Sequence, residues 1–462
     1  MTDLPSRKSA ATFPQSFFPH SLIFTRKHGG QAFVAAVSCS ALLNRMEYFQ
    51  RRFSFRIRLS NLAVFLRACH EWVARSLSRV TSTGDLIPEV DGLRFIAISV
   101  VVFHHLVSIY LPVSGRVLQV RSYADWMAAS DQSWMIRLAY CGHFGVQLFF
   151  VISGFILALP FAKRAFSELP APELKGYYLR RVTRIEPPYV ICLLLLFFLF
   201  WLDKGDAAAR IPNLIASLFY SHGLVFGHES PVNGVTWSLE VEIQFYLLVP
   251  FLVRIFRWRN AALRRALMLA AILGGSFLSL NVIYPSGSSR LPLTFLNFSH
   301  YFLTGFLLAD LYLSSATRER KKTFAWDLVA VASAAMMLAT LMWIGTLYYL
   351  LPLMIGVFYA GCYLGRLSNA FVRLRWIVII GGMCYTIYLY HVTLIGRAFV
   401  HTGAWTSLAR SFSTDFLMQA VLILPVLLAM CAWLFLVSEK PFMRWSLTRR
   451  QPVAVPSVVS AD

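Results

Sequence analysis

Charge is scarce in this 462-residue chain: only 14% of its residues are Asp, Glu, Lys or Arg. Acids are the scarcer sign, 22 against 43 Lys and Arg, which leaves a net charge of +21. A nucleic-acid binder of that net charge would be rich in charge throughout, so no nucleic-acid partner is expected. A basic disordered protein is excluded as well, because 57% of the residues are hydrophobic. Cysteine is sparse and unpatterned. Cys39, Cys69, Cys141, Cys192, Cys362, Cys384 and Cys431 form no CxxC pair and no ligand spacing with histidine, so no metal site is expected. Most sit in apolar runs and read as small packed hydrophobes. Long polar loops are missing too, which leaves no room between the apolar runs for a soluble domain.

What is present is a series of apolar stretches of about 20 residues, the length that crosses a hydrocarbon core of roughly 30 Å. Ten are expected to span: 93–112, 143–162, 187–203, 237–256, 266–284, 293–313, 326–344, 347–365, 376–396 and 415–437. Helix is required, since open strands leave their backbone unsatisfied in lipid. Pro187-Pro188 is expected to start the third span. The weaker stretch 211–227 contains Pro212, His222, Gly223 and Gly227 and reads as interfacial or re-entrant.

Lys and Arg cluster in alternate flanks, at 163–186, 254–265, 314–325, 366–375 and the tail. The positive-inside rule then places both termini in the cytoplasm. With span ends assigned to their nearer side, the cytoplasmic face holds 35 Lys/Arg and 14 acids, and the outer face eight of each. The +21 is therefore an orientation signal. The expected fold is an all-α polytopic integral membrane protein of about ten transmembrane helices, in the inner (cytoplasmic) membrane. Residues 1–85 form a basic cytoplasmic extension, 86–445 the membrane domain and 446–462 a short tail. The run 31–44 is too short to span and no signal peptide is expected. The stretch 47–80 mixes arginines with Phe, Leu and Trp, which suits an amphipathic helix on anionic lipid. A poorly ordered extension, or a true start at Met46, is the alternative.

Ionisable residues inside spans are functional candidates. Four groups stand out. Asp91-Gly92-Leu93-Arg94 leads to His104-His105. Arg94 and His105 are 11 residues apart, so on a helix they share a face within about 20° and lie about 16 Å apart along the axis. An imidazole held in lipid stays uncharged and suits a general base; the bland alternative is a structural histidine. His104 points about 100° away and reads as structural. Arg181 and Arg184 are i, i+3, so both guanidinium groups can face one anion; ordinary positive-inside anchoring is the alternative. In Thr236–Tyr246, Ser238, Glu242 and Phe245/Tyr246 share a face, and Glu240 points roughly opposite Glu242. Glu242 lies deeper than helix-end compensation requires. Tyr385–His391 places His391 towards the outer half, among tyrosines that an interfacial belt would also explain.

The motifs that hold these residues resemble the acyltransferase-3 family of membrane proteins, over about 89–444. Asp91–Ala97 with His105 is similar to its arginine-x10-histidine opening, and Gly145–Phe155 to its FFxxSGF span. Arg181–Ile185 with Pro188-Tyr189 resembles its RxxR and proline-tyrosine pattern. Trp237-Ser238-Leu239, Glu242, Gln244-Phe245-Tyr246 and Pro250 resemble its WSLxxExxFY motif. Tyr385, Tyr388-Leu389 and His391 resemble its YxxYLxH pattern, and Glu439-Lys440-Pro441 its closing glutamate-x-proline. Cys384 departs from the usual serine and Gln147 from a frequent aspartate.

The resemblance implies an O-acyltransferase that moves an acyl group, acetyl first, from cytoplasmic acyl-CoA to a hydroxyl of an extracytoplasmic or lipid-linked carbohydrate. Acyl-CoA is then a co-substrate and no cofactor is permanently bound. Arg181 and Arg184 would hold coenzyme A phosphates, with Arg94 on the donor's anionic part. His105 would deprotonate the acceptor or accept the acyl group itself. Glu242 would orient the acceptor or an imidazole. Asp91, Ser153, Trp237, Ser238, Tyr246 and His391 would support them, with Ser153-Gly154 allowing close helix approach. The expected partners are the bilayer, acyl-CoA and a glycan or glycolipid. A secondary transporter or exporter is the rival class, and would show matched repeats with interrupted helices. A non-catalytic scaffold is the third.

Overall fold

The computed structural model describes residues 59–79, 86–115, 126, 128–129, 133–170, 172–204, 208–314, 321–342, 345–405 and 410–443. Much of the expected extension, including 31–44 and Met46, and the tail 446–462 lie outside the described residues. The chain divides after Ala68. Before that point the described residues form only the start of α1 (Leu59–Leu77).

After it the described residues are almost wholly helical and contain no strand. In chain order the helices are α2 (Pro88–Val113), α3 (Trp134–Tyr140), α4 (Gly145–Phe166), α5 (Leu174–Lys204), α6 (Ile211–Leu218), α7 (His222–Phe226), α8 (Trp237–Leu252) and α9 (Ala261–Leu278). They continue as α10 (Phe295–Leu313), α11 (Phe324–Met342), α12 (Leu351–Leu364), α13 (Leu367–Val372), α14 (Arg375–Gly382), α15 (Cys384–Thr402) and α16 (Phe412–Leu434).

Among the described residues eight helical runs are long and apolar enough to cross a membrane, and the pair α14–α15 makes up to nine. The ninth expected span is thus broken, with a 71° bend between Gly382 and Cys384. The fourth is the 16-residue α8, continued by a 3-10 turn through Arg257. The stretch 211–227 folds as two short helices and closes at Gly227, in the left-handed region that favours glycine. That agrees with its reading as a non-spanning segment.

The third span corrects an expectation. Pro187-Pro188 does not start it; α5 runs from Leu174, with both prolines inside. Each proline withholds one N–H from the helix ladder, a loss that neighbouring groups in a bundle can make good. Nearby, the Tyr385 hydroxyl donates to the Ile185 carbonyl (3.0 Å), next to the Thr183 and Arg184 carbonyls that the prolines release. Arg181 and Arg184 therefore sit on a continuous helix.

Small residues set the closest contacts. A Cβ on Gly154 would stand 2.1 Å from Phe302 O, and one on Gly305 would stand 2.3 Å from Val151 O, so α4 and α10 meet backbone to backbone. A Cβ on Gly381 would stand 1.8 Å from Asp91 O, which seats α14 on the start of α2. Phe150, Phe245, Phe302 and Phe306 fill the adjoining core. Leu194, Phe198, Val421, Val426 and Trp433 face outwards, as lipid-facing positions require.

Candidate active site

The sequence brings three arginines to one cavity. Arg94 of α2 and Arg181 and Arg184 of α5 line a space of about 140 Å³, together with Ser153, Glu242 and Tyr246. Arg94 donates to Asp91 Oδ1 at 2.6 Å, one turn back on α2. Arg79 donates to the same oxygen at 2.7 Å. One buried carboxylate thus serves two guanidinium groups. Among the described residues, Arg181 and Arg184 form no salt bridge, and Arg181 Nε is buried without a partner. Arg181 lies over the rings of Tyr177 (5.6 Å) and Tyr246 (6.0 Å), which hold its plane. Cation exceeds anion around this cavity, the condition for drawing in an anionic group such as a phosphate.

Glu242 closes the opposite wall. Its Oε1 accepts from Ser153 Oγ (2.5 Å) and from Tyr246 OH (2.6 Å). Among the described residues nothing donates to Oε2. The expected helix face is kept for Ser238, Glu242 and Tyr246, which all line the cavity. Phe245 leaves it, stacking on Phe302 at 4.1 Å; seen from Glu242, position 245 lies about 60° to one side and 246 about 40° to the other. Glu240 is 2% exposed and accepts from Gly223 N (2.8 Å), tying α8 to the start of α7. Ser238 Oγ and Tyr388 OH are 3.0 Å apart, and Tyr388 also donates to Val235 O.

His105 lines a second, larger cavity of about 590 Å³. Val101 and Val146 form walls of both cavities, so the two adjoin there. Arg94, Val101 and His105 follow one another along one face of α2, and Trp237 and Ser238 divide between the cavities. The His105 and His391 rings are 5.0 Å apart. His391 is fully buried, and its Nδ1 lies 3.0 Å from Ile387 O and 2.9 Å from Tyr388 O. Carbonyls only accept, so that nitrogen carries the proton. His391 Nε2 is then a buried acceptor without a partner among the described residues. His104 Nδ1 donates to Ala139 O (2.9 Å) and its ring stacks on Trp126, which fits the structural reading.

The expected catalytic pair is not in contact. Glu242 belongs to the arginine cavity and is held by two hydroxyls, while the neighbour of His105 is another imidazole. Sequence reasoning also missed Arg79, which lies in the segment read as an extension. It missed the wall of the larger cavity supplied by α9 and α10, including Ser276, Asn297 and His300. A histidine and an asparagine inside an apolar span were the available signal.

Comparison with known proteins follows the same outline. The chain is similar to the peptidoglycan O-acetyltransferase OatA of Listeria monocytogenes, 26% identical over 44% of this chain and 30% of that protein. It is similar to the O-acetyltransferase OatA of Staphylococcus aureus, 22% identical over 67% of this chain and 50% of that protein. The chain thus spans half or less of the length of these relatives. No solved structure matches it. The profile of the acyltransferase-3 family, described as an acyltransferase domain, matches residues 87–437. That range holds both cavities and every expected site residue, and the chain belongs to the acyltransferase-3 family.

Proposed function

We propose that the protein is a membrane O-acyltransferase that moves a small acyl group from acyl-CoA to a hydroxyl of a carbohydrate outside the cytoplasm or on a lipid carrier. The observation that carries the reading is the pair of adjoining cavities, cationic on one side and imidazole-lined on the other, joined along one face of α2. Arg181 and Arg184 take the anionic part of the donor, and Arg94 completes that wall. The arginine cavity is about 140 Å³, close to the roughly 150 Å³ that accepts one benzene. That size favours acetyl over a long chain. The names of the similar O-acetyltransferases point the same way.

His391, whose Nε2 lone pair has no partner among the described residues, stands beside His105, and His105 is the base. His105 takes the proton of the acceptor hydroxyl as its oxygen bonds to the acyl carbon. The carbon–sulfur bond then breaks, the electron pair leaves on the coenzyme A sulfur, and the proton held by His105 goes to that sulfur, directly or through water. Glu242 holds the Ser153 and Tyr246 hydroxyls in place beside the donor end of the cavity. The cytosol as the donor's source follows from the expected orientation.

Membranes containing the protein are incubated with radiolabelled acetyl-CoA. Label should appear in a base-labile ester on glycan, and His105→Ala should lose it while still inserting at wild-type level. Near-normal transfer by that variant would remove His105 from its role. Solute uptake without covalent transfer would replace the enzyme by the rival transporter.

A further inference from the structure

The larger cavity has a wall that the donor-side chemistry does not use. Ser276, Ser279, Asn297 and His300 line it from α9, its π-helical continuation and α10. Ser279 Oγ donates to Asn297 Oδ1 at 2.6 Å, so that pair is satisfied. Ser276 and His300 are not. They are 1% and 4% exposed, and Ser276 Oγ and His300 Nδ1 have no partner among the described residues. Buried polar atoms are rarely left unpaired, and two on one cavity wall mark where a ligand's own hydroxyls or amides would pair. Trp237 and Tyr301 add aromatic surface to the same space. Among the described residues no Lys or Arg lines it and one carboxylate, Glu229, does, in contrast to the three arginines of the neighbouring cavity. Its volume of about 590 Å³ falls within the roughly 300–1,000 Å³ usual for small-ligand sites.

We infer that this cavity is the acceptor subsite and that it takes an uncharged sugar ring, with Ser276 and His300 as its specificity-determining hydrogen-bonding groups. Hydroxyl and amide groups of a pyranoside match the unpaired serine and imidazole, and its C–H faces match the aromatic rings. A phosphate would enter without a counter-charge, so a phosphorylated carrier stays outside while the sugar alone enters. His105 on the same cavity then meets the hydroxyl to be acylated. The inference rests on the acyltransferase reading above and adds the site and class of its acceptor.

The test uses the purified full chain in detergent, acetyl-CoA labelled in the acetyl group, and acceptor membranes from a strain lacking the gene. Ser276→Ala with His300→Leu should raise the apparent KM for acceptor membranes at least 10-fold. The KM for acetyl-CoA should stay within about two-fold, which also reports that the variant is folded. Ser276→Ala alone, a minimal change, should give a smaller rise of the same kind. An unchanged acceptor KM, or an acetyl-CoA KM that rises as far, overturns the assignment. Label found by mass spectrometry on a phosphate-bearing polyol instead of a sugar ring overturns the class. If the wild-type protein transfers no label, the acyltransferase reading itself fails and takes this inference with it.

Discussion

At the residue scale, function divides between groups already neutralised and groups left open. Asp91 is occupied by Arg79 and Arg94, whereas Arg181 and Arg184 form no salt bridge among the described residues. Arg181→Ala with Arg184→Ala should therefore act chiefly on donor binding. Each lost charge-assisted bond is worth about 1.5–3 kcal/mol, so the KM for acyl-CoA should rise by about 100-fold or more. Initial rates against acyl-CoA check this, and a rise confined to the acceptor KM would reverse the assignment. The two carboxylates of α8 should separate in the same assay. Glu242→Gln loses a carboxylate that accepts two hydroxyls beside the cavity, and should cut turnover more than Glu240→Gln. Glu240→Gln keeps an oxygen that can accept from Gly223 N, and should instead cost about 1 kcal/mol of stability. The residues themselves were legible early: every expected side chain lines a cavity or contacts one that does. Their pairing was not. Glu242 and His105 are 137 positions apart, and no local pattern tells that one meets hydroxyls and the other an imidazole.

At the element scale, contact between helices depends on missing side chains. Gly154→Ala would drive a Cβ into the Phe302 carbonyl, a backbone atom that cannot move away. It should destabilise the protein by about 1–3 kcal/mol or more, read as a lower melting temperature in detergent. Gly274 offers the control on α9, where a Cβ meets nothing within 4 Å. Gly274→Ala should be neutral or stabilise by about 0.5–1 kcal/mol. A similar loss at both positions would mean that helix approach is not what limits Gly154. Hydropathy located the helices well, because a 20-residue apolar run in lipid has no other fold. It misplaced the start of α5. Proline is a helix signal only through its own missing N–H, and that α5 carries on through Pro187-Pro188 depends on packing against distant parts of the chain, such as Tyr385 on the Ile185 carbonyl.

At the scale of the whole molecule, charge sets orientation and topology sets the cavities. The excess of Lys and Arg on alternate flanks predicts cytoplasmic termini. A green fluorescent reporter fused at either terminus should therefore be fluorescent in cells, and a dark reporter at one end only would contradict an even number of crossings. The segment before the first span also reaches the site. Glu71 pairs with Arg375 on α14, and Arg79 reaches Asp91 at the start of α2. Arg79→Ala removes one partner of a buried carboxylate that keeps Arg94. It should lower thermal stability, by up to about 3–5 kcal/mol if Arg94 does not compensate, and should leave acceptor KM unmoved.

By itself the sequence determined that this chain lies in a membrane, that its spans are helices, and which residues carry polar chemistry into them. Those properties follow from composition, run length and local spacing, which act along the chain. Only the tertiary structure decided that the polar residues divide between two adjoining cavities, that His391 and not Glu242 neighbours His105, and that α9 and α10 supply an unsatisfied wall. Those properties arise where helices far apart in sequence are brought together by packing, and the register of that packing is set by backbone contacts such as Gly154 on Phe302.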